Sequence, residues 1–111
     1  MISRVWHGYT GPGEADAYEA LLREEIFTAI EQRSIAGFRE IQLFRRDVGE
    51  VGDGGDEVEF VNVMWFDSLD AVRAFAGDDH EVAVVPPAAR RLLARFDERS
   101  QHYEVRERRQ P

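Results

Sequence analysis

The 111-residue chain contains no cysteine and no lysine, and only four prolines. Without cysteine there is no thiol nucleophile, no disulfide and no thiolate-bound metal. Without lysine there is no Schiff base and no phosphate-loop lysine, so the 14 basic residues are all arginines. Excess positive charge is also lacking. Against 22 acids the net charge is −8, which argues against a general nucleic-acid binder, whose affinity rests on phosphate contacts. No apolar run approaches the roughly 18 residues of a membrane-spanning helix. The first residues, Met1 to His7, have no apolar leader region. A cytoplasmic domain with no membrane partner is the expectation. What is present is one domain's worth of chain, 43% hydrophobic with 12 aromatics counted from Trp, Tyr and Phe, enough for a modest core.

Residues 2–7 alternate in polarity as a strand does, with Ile2, Arg4 and Trp6 on one side. After a Gly/Pro-rich break at 8–13, helical spacing runs from Glu14 to Gln32, with Tyr18, Leu21, Leu22, Ile26, Ala29 and Ile30 on one stripe. Phe38 to Arg46 and Val58 to Phe66 read as strands. The Asp47–Glu57 segment between them has four glycines and five acids and reads as a hairpin connection. It has neither the spacing of a phosphate loop nor the acid order of a calcium loop. Asp67-Ser68 offers an N-cap for a helix bearing Leu69, Val72 and Phe75. Pro86-Pro87 opens a further helical piece holding Leu92, Leu93 and Phe96, and Ser100 to Arg106 closes the domain as a last strand. The domain is expected to span 1–106, with 107–111 a polar tail.

The order β-α-β-β-α-β is the split βαβ, ferredoxin-like arrangement of the α+β class, a four-stranded antiparallel sheet with helices on one face. The strand ending at Phe66 is apolar on both faces: Val61, Val63 and Trp65 alternate with Phe60, Met64 and Phe66. Helices cover one face only, so the other is expected to pack against a second copy, giving a homodimer through the open sheet face.

With this element order, the strand exit from Phe66-Asp67-Ser68-Leu69 to Ala76-Gly77 and the closing His102-Tyr103-Glu104-Val105, the chain resembles the antibiotic biosynthesis monooxygenase-like domains of the dimeric α+β barrel superfamily. The resemblance implies two sheets packed face to face and, in each protomer, a cavity between sheet and helices. Relatives of this kind include cofactor-independent oxygenases of aromatic polyketides and haem-degrading enzymes. In the anthrone-oxidising relatives an Asn and a Trp four residues apart line the cavity. Asn62 matches the first, while Phe66 stands where the Trp would be, and Trp65 has the opposite strand parity. The haem-degrading branch needs an Asn, a Trp and a His at positions that fall here near Trp6, at Phe75 and near Val85. None matches, and the nearest histidine, His80, lies half-way along the last interval.

Asn62 is a polar amide in an apolar strand, read either as a cavity group that holds a substrate oxygen or as an amide met by backbone or water. Arg4 beside Trp6 suits a planar anion, by stacking and forked hydrogen bonds; Arg39 reads as a rim residue paired with acids. His7, His80 and His102 have no metal-ligand spacing and read as structural. If one serves as a base it is His80, in its Asp78-Asp79-His80 corner. Of the alternating pair His102 and Tyr103, the tyrosine is expected to face inward. The candidate site is therefore Asn62 and His80 for chemistry, with Arg4, Trp6, Phe66, Phe75 and Tyr103 holding a small aromatic ligand. No cofactor is called for. The leading expectation is a cofactor-independent monooxygenase of an aromatic or polyketide-like molecule. The alternative is a non-catalytic homodimeric module that binds a small ligand or is purely structural.

Overall fold

A computed structural model describes residues 1–50 and 55–111. Strand β1 (Ile2–Thr10) is followed by a first helical stretch in three parts. These are α1 (Ala15–Leu21), a π-helical turn (Leu22–Ile26) and α2 (Phe27–Gln32). Strands β2 (Phe38–Glu50) and β3 (Asp56–Phe66) form the long hairpin. Then come α3 (Leu69–Ala76), the short α4 (Pro87–Arg90), β4 (Arg95–Phe96) and β5 (Gln101–Glu104). All strand pairs are antiparallel, in the order β2-β3-β1, with β4 and β5 both on the outer edge of β1. This is the ferredoxin-like α+β order expected, with the last strand position divided in two.

Both ends of the expected acidic connection are strand: Glu50 pairs with Asp56, and Gly49 with Glu57. The rest of that connection, 51–54, lies outside the described residues.

The closing part of the chain departs from the sequence expectation. The helix begun at Pro87 ends at Arg90, and Phe96 lies in β4 opposite Gly8. The cause is the bare edge of β1. Ala94 N–H donates to Tyr9 C=O at 2.8 Å and Asp97 N–H to His7 C=O at 2.9 Å, satisfying backbone groups a longer helix would leave unpaired. Residues 97–100 step away from β1 before β5 resumes, and Val82 bridges to Arg99 there.

Ser68 caps α3 as expected, its hydroxyl accepting from Ala71 N–H at 3.2 Å. In the first helix, Tyr18, Leu22, Ile26 and Ile30 are spaced by four. In a uniform α-helix each such step overshoots a turn by about 40°. The wider π turn at Leu22–Ile26 takes up this drift and keeps the four side chains along one line.

The sheet face under the helices carries Ile2, Arg4 and Trp6 of β1 opposite Phe66, Met64 and Asn62 of β3. Two apolar clusters pack on it. One joins Ile2, Met64 and Phe66 to Val72 and Phe75; the other joins Val58 and Phe60 to Tyr18, Leu22 and Ala89. The opposite face has Val5, Val61, Val63 and Trp65 at its centre, with Phe44 and Tyr103 each at least half exposed. No helix among the described residues is long and apolar enough to cross a membrane.

Candidate functional site

A cavity of about 50 Å³ lies at the seam between the two clusters. Its sheet wall is made by Arg4, Trp6 and Asn62, with Tyr18 and Ile26 from the helical stretch and Phe75 from α3. Four of the residues expected from sequence, Asn62, Arg4, Trp6 and Phe75, thus meet at one place. Parity explains the first three: Asn62 is the direct cross-strand partner of Trp6, and Arg4 is two residues from Trp6 on the same face.

The Trp6 indole is fixed twice. Its Nε1–H donates to Asp97 C=O at 2.8 Å. Its ring also lies over Gly8, where a Cβ would collide with the indole and reach Leu93 at 3.0 Å. The stepped segment at 97–100 therefore supplies an acceptor that a continuous last strand would have spent on β1.

Arg4 is 3% exposed. Its guanidinium donates to the backbone carbonyls of His80 and of Val82, the latter at 3.0 Å, and lies 3.0 Å from His102 Nε2. Its Cζ is 5.4 Å from the centroid of the Phe75 ring. Every hydrogen-bond partner is neutral, and no acidic side chain among the described residues lines the cavity. Burial lowers the Arg4 pKa to about 10, which still leaves it cationic at neutral pH. A guanidinium only donates, so His102 Nε2 accepts and the ring proton sits on Nδ1. That Nδ1 is buried and has no partner among the described residues. Burial, followed by the charge of Arg4 and the neighbouring His80, pushes the His102 pKa down to about 4.

Asn62 Oδ1 is likewise buried with no partner among the described residues. An amide oxygen in this state, on an otherwise apolar wall, is an acceptor waiting for a donor that the fold does not provide. Burial also raises the Tyr18 phenol well above its ordinary value. Tyr18 has a 1% exposed residue surface and packs edge-on against Phe60 at 4.9 Å.

Three expected site residues fall elsewhere. Phe66 is fully buried behind the cavity, stacked between Phe38 and Phe75 at 5.5 and 6.0 Å, so it supports Phe75 without lining the space. His80 reaches Arg4 through its backbone carbonyl, while its ring lies against His102 at 4.9 Å and lines no part of the cavity. The acids of its corner face outward, Asp79 pairing with Arg99 at 3.0 Å. Tyr103 corrects the inward expectation. It pairs with Ser3 on the open face and is 56% exposed, whereas His102 pairs with Arg4 and faces inward. Alternation divides a strand into two faces, but only the register against β1 says which face is which. Trp65 points to the open face and donates to Gln42 Oε1 at 2.9 Å. Arg39 pairs with Asp67, as its rim reading implied.

Sequence reasoning missed the participation of His102 and Tyr18 in this region. Tyr18 was legible only as one member of an apolar stripe, and nothing local marks it as cavity-facing.

No protein-family model matches the chain, and no curated protein matches it by sequence. Its fold is similar to the crystal structure of a candidate antibiotic biosynthesis monooxygenase from Bacillus cereus. That match has a TM-score of 0.58 at 14% identity and covers 99% of this chain and 96% of the other. A looser match is an EthD family protein from Bacillus halodurans, with TM-score 0.46 and 19% identity over 95% of this chain and 99% of that one. The fold is thus that of an antibiotic biosynthesis monooxygenase-like domain, an α+β ferredoxin-like architecture.

Proposed function

We propose that the protein is a homodimeric, cofactor-independent monooxygenase of a small phenol or enol. The observation that carries this reading is the buried Oδ1 of Asn62, without a partner among the described residues, on the same cavity wall as a buried guanidinium that meets no carboxylate among them. A substrate hydroxyl supplies the donor that Asn62 lacks. After the proton leaves, the oxyanion or enolate is favoured by the charge of Arg4, which acts strongly where water is excluded.

No lining side chain is a free base at neutral pH: Arg4 is protonated, and the Tyr18 phenol is held protonated by burial. The substrate's own acidity therefore has to suffice, with the proton passing to solvent. The ionised substrate is electron-rich enough to give an electron pair to O₂ at carbon, forming a hydroperoxide. Loss of water then leaves a carbonyl: a CH₂ group and O₂ become C=O and H₂O, one oxygen atom in each product. Nothing in this balance needs a thiol, a lysine or a further reductant.

The test is oxygen uptake with a single-ring phenol or an enolisable single-ring ketone. Asn62→Ala should lower kcat/KM about tenfold or more, because the amide oxygen that orients the substrate hydroxyl in the cavity is lost. Equal rates in both proteins would remove Asn62 from the mechanism. The cavity volume of about 50 Å³ favours a second reading, a non-catalytic small-ligand module. Absence of uptake with any phenol or enol, together with retained ligand binding, decides for that reading.

The dimer part of the proposal is supported by the helix-free sheet face, where Phe44 and Tyr103 are exposed around the Val5, Val61 and Val63 centre. A second copy covering that face leaves both cavities, on the opposite side of each sheet, accessible.

A further inference from the structure

The cavity at Arg4 does not end at its inner walls. A groove of about 360 Å³ runs along the outside of the first helical stretch, between Leu21, Ile26, Ala29 and Ile30 on one bank and Val84, Pro86 and Ala88 on the other. Five residues, Ile26, Ile30, Phe75, Val84 and Pro86, line both spaces, so the two adjoin. Phe75 stands at the junction with a guanidinium on each count: Arg4 and Arg33 both have Cζ 5.4 Å from its ring centroid. Arg33 is tied down at the mouth, donating to the carbonyls of Ala74 at 2.9 Å and Phe75 at 3.2 Å.

The two parts differ in chemistry. The inner part is small, about 50 Å³. It presents a cation that meets no counter-ion among the described residues, a costly arrangement in a buried place. The outer part is long and lined mainly by aliphatic side chains, with Glu25 and Arg33 as its charged lining residues. Together they reach the ordinary scale of a ligand site, about 300–1,000 Å³.

We propose that cavity and groove are one site, and that its ligand is an amphiphilic monoanion with a narrow acidic head at Arg4 and a slender apolar body along the groove. This rests on the reading of the cavity as a small-molecule site and narrows its substrate class. A fused tricycle is too broad for the inner part, whereas a single ring or chain carrying an acidic terminus fits both.

Calorimetric titration of the native protein with octanoate, octanol and butyrate tests this. Octanoate should bind saturably, one per chain, and about tenfold or more tighter than either octanol, which lacks the charge, or butyrate, which lacks the body. Ala88→Trp places a large ring in the groove from an exposed position and should weaken octanoate about tenfold while leaving the circular dichroism spectrum and melting temperature unchanged. Arg4→Gln should reduce octanoate to the octanol level. If Arg4→Gln does not fold, the octanoate-to-octanol ratio in the native protein still decides the role of charge. Equal binding of octanoate and octanol would make Arg4 a structural group, and normal binding by Ala88→Trp would detach the groove from the site. Either result overturns the proposal. These are binding measurements, so absent oxygen uptake beside tight octanoate binding would defeat the oxygenase reading and leave this one standing.

Discussion

Arg4 and His102 form a contact in which one partner dictates the protonation of the other. Because the guanidinium donates and carries charge, a second charge on His102 is opposed, and burial adds to the effect. The folded pKa of about 4 lies below the ordinary 6.5, so the unfolded chain takes up this proton first. The stability that His102 contributes is thus present at pH 7 and declines as pH falls through 6.5 toward 4. Between pH 7 and 5.5 the protein should lose stability, by less than the full shift would give because solvent screens this half-buried ring. Urea titrations at the two pH values read it. His102→Gln keeps an acceptor for Arg4 without a titrating group, and it should lose correspondingly less over the same interval. An unchanged difference would mean that His102 titrates alike in both states. Glu59, on the other face, acts lower in pH. Its hydrogen bond with Arg46 leads the causes that hold its carboxyl below the ordinary value, so its contribution is lost only as pH falls below about 4.5.

At the scale of the element, β1 organises the site. It carries Arg4 and Trp6, contacts β3, β4 and β5, and holds a glycine where the Trp6 ring needs space. Gly8→Ala should cost about 1–3 kcal/mol, because the added methyl has to push the indole or Leu93 out of a packed wall. The urea midpoint should fall and the near-ultraviolet circular dichroism of the indole should change. A variant identical to the native protein in both would show that the ring moves freely. Much of β1 and β3 was legible in the sequence, because a charged or amide group in an alternating apolar strand has its face fixed by period two. Arg4, Trp6 and Asn62 were found that way, and Phe75 by helical spacing. The closing segment was not legible. Leu92, Leu93 and Phe96 fit a helix by spacing alone, and it is the unsatisfied edge of β1, remote in sequence, that draws Phe96 into a strand. His102 and Tyr103 are the same problem in miniature: register on a distant partner decides which of two neighbours faces the site. The π turn is invisible for a different reason, since four-residue spacing is equally consistent with an ordinary helix.

For the whole molecule, the net charge is −8, and no acid among the described residues lines the inner cavity. Acids of α1, β3 and the loops meet arginines at the surface, as in Arg45 with Asp16 and Glu19, Arg95 with Glu57, and Arg99 with Glu81. Such exposed pairs add little stability each. The open sheet face carries the expectation of association. Sedimentation at micromolar concentration should give about twice the 12.8 kDa of one chain, and Phe44→Asp, a charge placed beside the apolar centre of that face, should shift it toward the single-chain mass. A native protein sedimenting as one chain would refute the dimer. The π turn has a final consequence at this scale. It divides the first helix into a half that anchors Tyr18 and Leu22 over the sheet and a half that presents Ile26 and Ile30 to cavity and groove alike. Descendants of this fold can therefore vary the second half, in length or in side chains, and acquire a new ligand preference while the anchoring half, and folding with it, is left as it was.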